Sequence, residues 1–241
     1  MAAERLQKLI ATAGLCSRRR GEELLRQGRV RLNGRIAGLG DRGDPELDRI
    51  TVDGHPIGAR SQQLTLLLNK PAGILCSCQD PQGRPTVLDL IPANLWRGTG
   101  LHPVGRLDAH SRGALLLTNN GELTLRLTHP RFGHSKTYRV RVRGHPDRST
   151  LERWRDGPLL DGRRCRPATI RLLQPDREET LLEIQLREGR NRQIRRCGEL
   201  FGHPVLDLRR VAIGGLTLAD LPEGRWREVG PEEWGPLLRS P

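Results

Sequence analysis

The chain has 241 residues and carries 41 Lys plus Arg against 28 Asp plus Glu, a formal charge of +13. Only Lys8, Lys70 and Lys136 are lysines, so the positive charge is almost wholly arginine. Apolar runs such as Ala114–Leu117 fall far short of the roughly 18 residues of a membrane span, and Met1–Arg5 opens no signal-peptide core, so a soluble cytoplasmic protein is expected. An excess of this size points to a polyanion, and for a soluble protein that means nucleic acid. The five Cys are odd in number and form no CxxC pair, and none of the seven His pairs with Cys at zinc spacing. Free thiols and no metal are therefore expected.

Residues 1–57 read as a small unit of their own. Leu6, Leu9, Ile10 and Ala13 fall at helical spacing, and Gly14 stops that helix. Ser17 caps a second helix running to Arg26, with Leu24 and Leu25 on its buried face and Gly28 past its end. Val30, Leu32 and Ile36 then alternate around Asn33-Gly34, and Asp53-Gly54 marks a second turn after Ile50 and Val52. Residues 1–35 hold nine basic and three acidic side chains, whereas residues 36–60 hold three and five. The excess lies on the helix pair and first strand. Arg5, the run Arg18-Arg19-Arg20, Arg29 and Arg31 are placed to track a phosphate backbone.

Residues 58–64 read as a linker, and residues 65–230 as a larger domain. Strands are expected at Leu64–Leu68, Ile74–Cys76, Ala114–Leu117, Thr137–Val142, Ala168–Leu173 and Leu181–Leu186. Helices are expected at Glu122–Thr128, Ser149–Asp156 and Asn191–Phe201. Strand and helix do not alternate regularly, so the class is α+β, with a mainly antiparallel mixed sheet. Residues 231–241 are Pro-rich and read as a peripheral tail.

Three segments are candidates for chemistry. Gly105-Arg106-Leu107-Asp108 sits where a loop meets the buried run Ala114–Leu117. Lys136-Thr137-Tyr138 holds the only Tyr in the chain, a flat face for stacking on a nucleobase. Residues 187–196 hold five Arg in ten, with Glu188-Gly189 as a turn and Asn191 as a helix cap, and Arg190, Arg192 and Arg196 are candidate phosphate ligands. Taken singly, each has a plain structural reading: a surface ion pair, a packing Tyr, a solvated helix start.

Together they carry more. The first 57 residues resemble the small RNA-binding module first seen in the fourth protein of the small ribosomal subunit. The likeness lies in Arg5-Leu6, Ala13-Gly14, Ser17-Arg18, Gly28-Arg29-Val30, Leu32-Asn33-Gly34 and Ile50–Gly54, with Gln7 where an Asp is common. The remainder resembles the RsuA-type family of ribosomal RNA pseudouridine synthases. That match runs through Leu68-Asn69-Lys70-Pro71-Ala72-Gly73, His102–Asp108, Leu115–Asn119, His129-Pro130, Lys136-Thr137-Tyr138, Glu188–Arg196, Leu208–Gly214 and Leu221–Gly224.

The resemblance implies an isomerase that turns a uridine of ribosomal RNA, of the large subunit rather than the small, into pseudouridine without cofactor or metal. It makes Asp108 the nucleophile, Tyr138 the ring that stacks on uracil, and Arg195 a cation paired with Asp108. Arg106 lies near the RNA path, and Lys70, Lys136 and Ser17 join the RNA-binding set. The partner is ribosomal RNA or a pre-ribosomal particle, met by a monomer. Asp108 forms an adduct at the sugar or at the ring, or elimination gives a glycal; the residues leave all three open. The competing class is a non-catalytic ribosome assembly factor on the same fold, which has no need of an ionised Asp among anionic ligands. A base-excising glycosidase is weaker, since no second carboxylate stands near Asp108 to activate water. His110, Ser111, Ala114 and Asn120 depart from the family's usual residues.

Overall fold

The computed structural model describes residues 3–58, 62–176 and 178–239. The chain forms two compact units. One comprises Met1–Leu64, Ile91–His102 and Thr118–Gly121; the other comprises Thr65–Leu90, Pro103–Leu117 and Glu122–Pro241.

The first unit begins with β1 (Glu4–Arg5), α1 (Leu6–Thr12) and α2 (Arg18–Arg26). Ser17 caps α2 as expected, its Oγ accepting from the Arg20 N–H at 3.2 Å. The helices approach closely because position 21 is glycine: a Cβ there would lie 3.3 Å from Gln7 Cα. β2 (Val30–Leu32), β3 (Arg35–Ile36), β4 (Arg42–Gly43), β5 (Ile50–Val52) and β6 (His55–Pro56) follow. A four-stranded antiparallel sheet runs in the order β3-β2-β5-β6, while β1 pairs with β4. Asn33-Gly34 and Asp53-Gly54 both take positive φ, which gives the two tight hairpins their required twist. Leu6, Leu9, Ile10, Leu24, Leu25, Val30, Leu32 and Ile50 form the core.

Two segments from within residues 65–230 belong to this unit. Ile91–His102 carries α3 (Ala93–Trp96). Gly14 meets this segment so closely that a Cβ would fall 1.9 Å from the Gly98 carbonyl oxygen, and its φ is +80°. In the second segment, Asn119 Oδ1 accepts from the Leu64 N–H at 2.9 Å, and its Nδ2 donates to Gln62 O and Thr99 O. The expected linker over 58–64 contains residues 59–61, which lie outside the described residues.

The other elements are β7 (Thr65–Lys70), β8 (His102–Pro103), β9 (Arg112–Thr118), α4 (Gly121–Thr128), β10 (Lys136–Arg143), α5 (Arg148–Arg155), β11 (Leu159–Leu160) and β12 (Arg163–Arg164). After them come β13 (Thr169–Pro175), β14 (Glu179–Leu186), α6 (Gln193–Leu200), β15 (Val205–Ile213), β16 (Leu216–Thr217), β17 (Trp226–Glu228) and α7 (Pro231–Arg239). Among the described residues a nine-stranded sheet runs β13-β14-β10-β15-β9-β7-β17, with β16 beside β15 and β8 beside β9. The β15–β9 pair is parallel; β13–β14, β10–β14, β10–β15 and β7–β17 are antiparallel. The fold is thus α+β with a mainly antiparallel mixed sheet. β7 and β9 lie inside the sheet, which is why their apolar runs are continuous rather than alternating. Helices α5 and α6 pack with β10, β13 and β14 around Val140, Trp154, Ile184, Ile194 and Cys197. A second cluster joins Leu67, Leu116, Leu123, Leu127, Val229 and Leu237.

Three expectations are corrected. Residues 74–76 make no strand: Leu75 forms one isolated bridge to Thr86, and Cys76–Cys78 lie in a bend. Helix α6 starts at Gln193, and Arg192 before it takes φ +48° without a side-chain cap, so Asn191 is not the cap. Residues 231–239 are a helix, not a peripheral tail, because Leu237 is 3% exposed against Leu67 and Leu116. All five cysteines are free thiols.

Candidate active site

The site is built on the loop between Val104 and Ser111. Lys70, at the end of β7, is completely buried beneath it. Its ammonium donates to Pro71 O at 2.8 Å, Ser111 O at 2.9 Å and Ala109 O at 3.2 Å. Three N–H groups thus meet three carbonyls. Lys70 was expected on RNA; with no exposed surface and its donors used, it does not reach a phosphate. The Gly73 N–H donates to Ala109 O at 2.8 Å, the Leu107 N–H to Cys76 Sγ at 3.3 Å, and the Ser111 N–H to Asp108 O at 3.0 Å. The backbone on both sides of Asp108 is therefore fixed.

The Asp108 side chain is half-buried. Among the described residues its carboxylate has no hydrogen bond and no ion pair within 4.0 Å. The expected pair with Arg195 is not made. From α6, Arg195 Nη2 instead donates to His110 O at 3.3 Å and Ser111 Oγ at 3.4 Å, and its Nη1 donates to Val205 O at 3.3 Å. The guanidinium holds the loop's backbone and acts on the carboxylate through space. Burial, then Arg192, lowers the Arg195 pKa, and Asp108 is the first charge that opposes this. Asp108 likewise opposes the lowering of the Lys70 pKa by burial.

Tyr138 is buried on β10 and packs in the cluster that contains Leu107 and Ile194. Its cross-strand partners are Ile184 on β14 and Arg210 on β15. Arg210 is 3% exposed; its Nε donates to Ala114 O at 2.7 Å and its Nη2 is buried without a partner. β15 approaches β9 there only because position 113 is glycine: a Cβ would lie 2.1 Å from Arg210 O. Lys136 is half-buried, its Nζ donating to His134 O at 3.3 Å. Burial, and then the charge of Arg210, push its pKa down to about 8. Burial raises the Cys76 thiol, while the Leu107 N–H bond and then the charges of Lys70, Arg210 and Arg106 pull it back.

The remaining RNA-binding candidates divide into free and committed groups. Arg106 and Arg192 are exposed and have no side-chain partner among the described residues. The same holds for Arg5, Arg18 and Arg19 in the first unit. Arg20 pairs with Glu23 at 2.7 Å, Arg29 grips both Asp53 oxygens at 2.7 and 2.6 Å, and Arg31 donates to Gly34 O at 2.8 Å. Arg190 pins the β11–β12 hairpin by donating to Arg163 O at 2.9 Å and to Leu160 O, and Arg196 pairs with Asp161 in that hairpin. Sequence reading passed over Arg210 and Ser111 as site residues. The signal for Arg210 was its two-residue spacing from Leu208, which puts both on one face of a strand.

Cations surround the Asp108 carboxylate, which makes no bond among the described residues, so an RNA chain is attracted while the carboxylate keeps its lone pairs. That balance defines an enzyme working on RNA, and comparison with known proteins gives its kind. The family described as RNA pseudouridylate synthase matches residues 64–199, and the S4 domain matches residues 4–44. The chain belongs to the RNA pseudouridylate synthase family and carries an S4 domain. It is 39% identical over 238 residues to an "Uncharacterized RNA pseudouridine synthase" of Aquifex aeolicus, covering 98% of this chain and 94% of that protein. It is 38% identical over 235 residues to the "Ribosomal large subunit pseudouridine synthase B" of Bacillus subtilis, covering 95% and 93%. A solved structure described as "Crystal structure of pseudouridylate synthase" superposes with a TM-score of 0.70 at 29% identity, covering 97% of this chain and 99% of that one.

Proposed function

We propose that this enzyme converts one specific uridine of large-subunit ribosomal RNA into pseudouridine, with Asp108 as the nucleophile. The near full-length likeness to the Bacillus subtilis large-subunit enzyme supports the substrate. The unpaired Asp108 carboxylate, on a loop fixed by Lys70 and Arg195, carries the assignment of the nucleophile. A carboxylate locked in an ion pair would have its lone pairs engaged; this one makes no such pair among the described residues and is free to attack. The target base must be flipped out of the RNA fold, which costs a few kcal/mol. Stacking on Tyr138 and phosphate contacts from Arg106 and Arg192 offset that cost. Capture at the sugar, capture at the ring and elimination to a glycal all use the same free carboxylate. One chain holds the whole residue set, so the enzyme acts as a monomer, in the cytoplasm where its RNA resides.

The test is pseudouridine mapping of large-subunit RNA incubated with the wild-type protein and with Asp108→Asn. The wild type is expected to add one modified position. The Asn variant is expected to bind the RNA as the wild type does and to form no product. Product from the Asn variant would remove the nucleophile from Asp108, and RNA left unmodified by the wild type would remove the substrate.

A further inference from the structure

Arg210 and Lys136 pose a problem the catalytic assignment leaves unsolved. Both are cations withdrawn from water, and among the described residues neither has an acidic partner. Arg210 spends one N–H on Ala114 O and leaves Nη2 buried and unpaired. Lys136 has one long bond, to His134 O. An uncompensated buried charge is strongly destabilising, so such groups are kept where a ligand supplies the missing partner. The partner must be electron-rich oxygen, since neither group accepts a hydrogen bond.

Register decides which oxygen. Arg210 stands directly opposite Tyr138 across the β10–β15 pair, so the two side chains share a face of the sheet. Lys136 lies two residues before Tyr138 on β10, hence on that face as well. A group 3% exposed beside a buried ring does not meet a backbone phosphate, which stays at the surface near Arg106 and Arg192. It meets a base stacked on that ring. We infer that Arg210 and Lys136 grip the uracil of the target uridine by its carbonyl oxygens and hold the negative charge the ring acquires when its bond to ribose breaks.

The inference rests on the isomerase reading and adds the electrostatic partner of the departing base. When the C1′–N1 bond breaks, its electron pair leaves with the ring, giving a uracil anion whose charge spreads onto the carbonyl oxygens. The ring then bonds C1′ through C5. C5 gives up one proton and N1 takes up one, so the product is an isomer and the charge balances. Fixed donors aimed at charge that develops only on bond breaking act chiefly on the rate of the chemical step.

The experiment is single-turnover pseudouridine formation in large-subunit RNA, with RNA affinity measured separately, for wild type, Arg210→Met, Lys136→Met, Arg210→Lys and Lys136→Arg. Each Met variant is expected to slow the chemical step by about 100-fold with affinity unchanged. Each charge-keeping variant is expected to recover part of that rate. Wild-type rates in both Met variants overturn the inference and leave the isomerase reading standing. So does a loss of affinity equal to the loss of rate, which marks a structural or docking role. An inactive wild type overturns both readings. Because Arg210→Met removes a strap to Ala114 O and risks the fold, Lys136→Met carries the test by itself if that variant does not fold.

Discussion

Lys136 and Lys70 show how differently two buried lysines behave. Lys136 sits among Arg210 and His134, and His134 is itself pushed toward neutrality by burial, Lys136 and Arg126. Its pKa of about 8 lies below the ordinary ~10.4 of a lysine in the unfolded chain. Between those values the unfolded chain binds a proton that the native chain lacks, so stability rises with pH across the window. Below pH 8 the charged form penalises folding in full. Lys136→Met should therefore be more stable than the wild type at pH 7, by about 2 kcal/mol after allowance for partial exposure. The gain should fade as the pH approaches 10.5, as urea unfolding at several pH values will read. Burial lowers the Lys70 pKa as well, yet replacing Lys70 has the opposite effect, because Met would take the ammonium donor away from three carbonyls. Its three carbonyl bonds make Lys70→Met destabilising by about 3–5 kcal/mol, measured the same way, with the salt dependence of RNA binding unaltered. The sequence showed Asp108, Tyr138 and Arg195 in their motifs but not this contrast, because residue type does not reveal burial. The clue for Lys70 was its place at the end of an unbroken buried run.

At the level of elements, local signals served well where one residue decides the backbone. Asn33-Gly34, Asp53-Gly54 and the Ser17 cap lie where turn and capping chemistry put them. They failed where pairing at long range decides. β15 went unrecognised because Arg209 and Arg210 interrupt its apolar alternation, and α7 because Pro231 and Pro236 disguise a helix. Truncating Leu237→Ala should cost about 2–4 kcal/mol in denaturant unfolding, as for any well-packed leucine. Gly113→Ala should cost more than about 3 kcal/mol, since φ is +108° and the new methyl would strike Arg210 O. Near-wild-type stability in either variant would show that these contacts are slack.

Over the whole molecule, the charge of +13 resolves into groups already committed within the protein and groups still free. Arg29, Arg190 and Arg196 are taken by Asp53, the β11–β12 hairpin and Asp161; Arg18 and Arg19 are free among the described residues. Replacing Arg18 and Arg19 by serine should lower the salt slope of RNA binding by about 1.4–1.8, one phosphate contact each. A filter-binding series in increasing salt measures it, and an unchanged slope would exclude them from the interface. Division into an S4 domain and a synthase domain was legible from composition and motif. The enrolment of residues 91–102 and 118–121 in the first unit was not, for the meeting of Gly14 with Gly98 leaves no trace in either neighbourhood. The β7–β17 pair has a similar reach: Leu68 lies beside Trp226, and Leu67 packs with Leu237. A nascent chain therefore carries the Asp108 loop long before the sheet beneath it can close. Until residues 226–237 have been translated, the synthase core exposes one flank of β7, so closure of the core waits on a segment made about 160 residues after β7 itself.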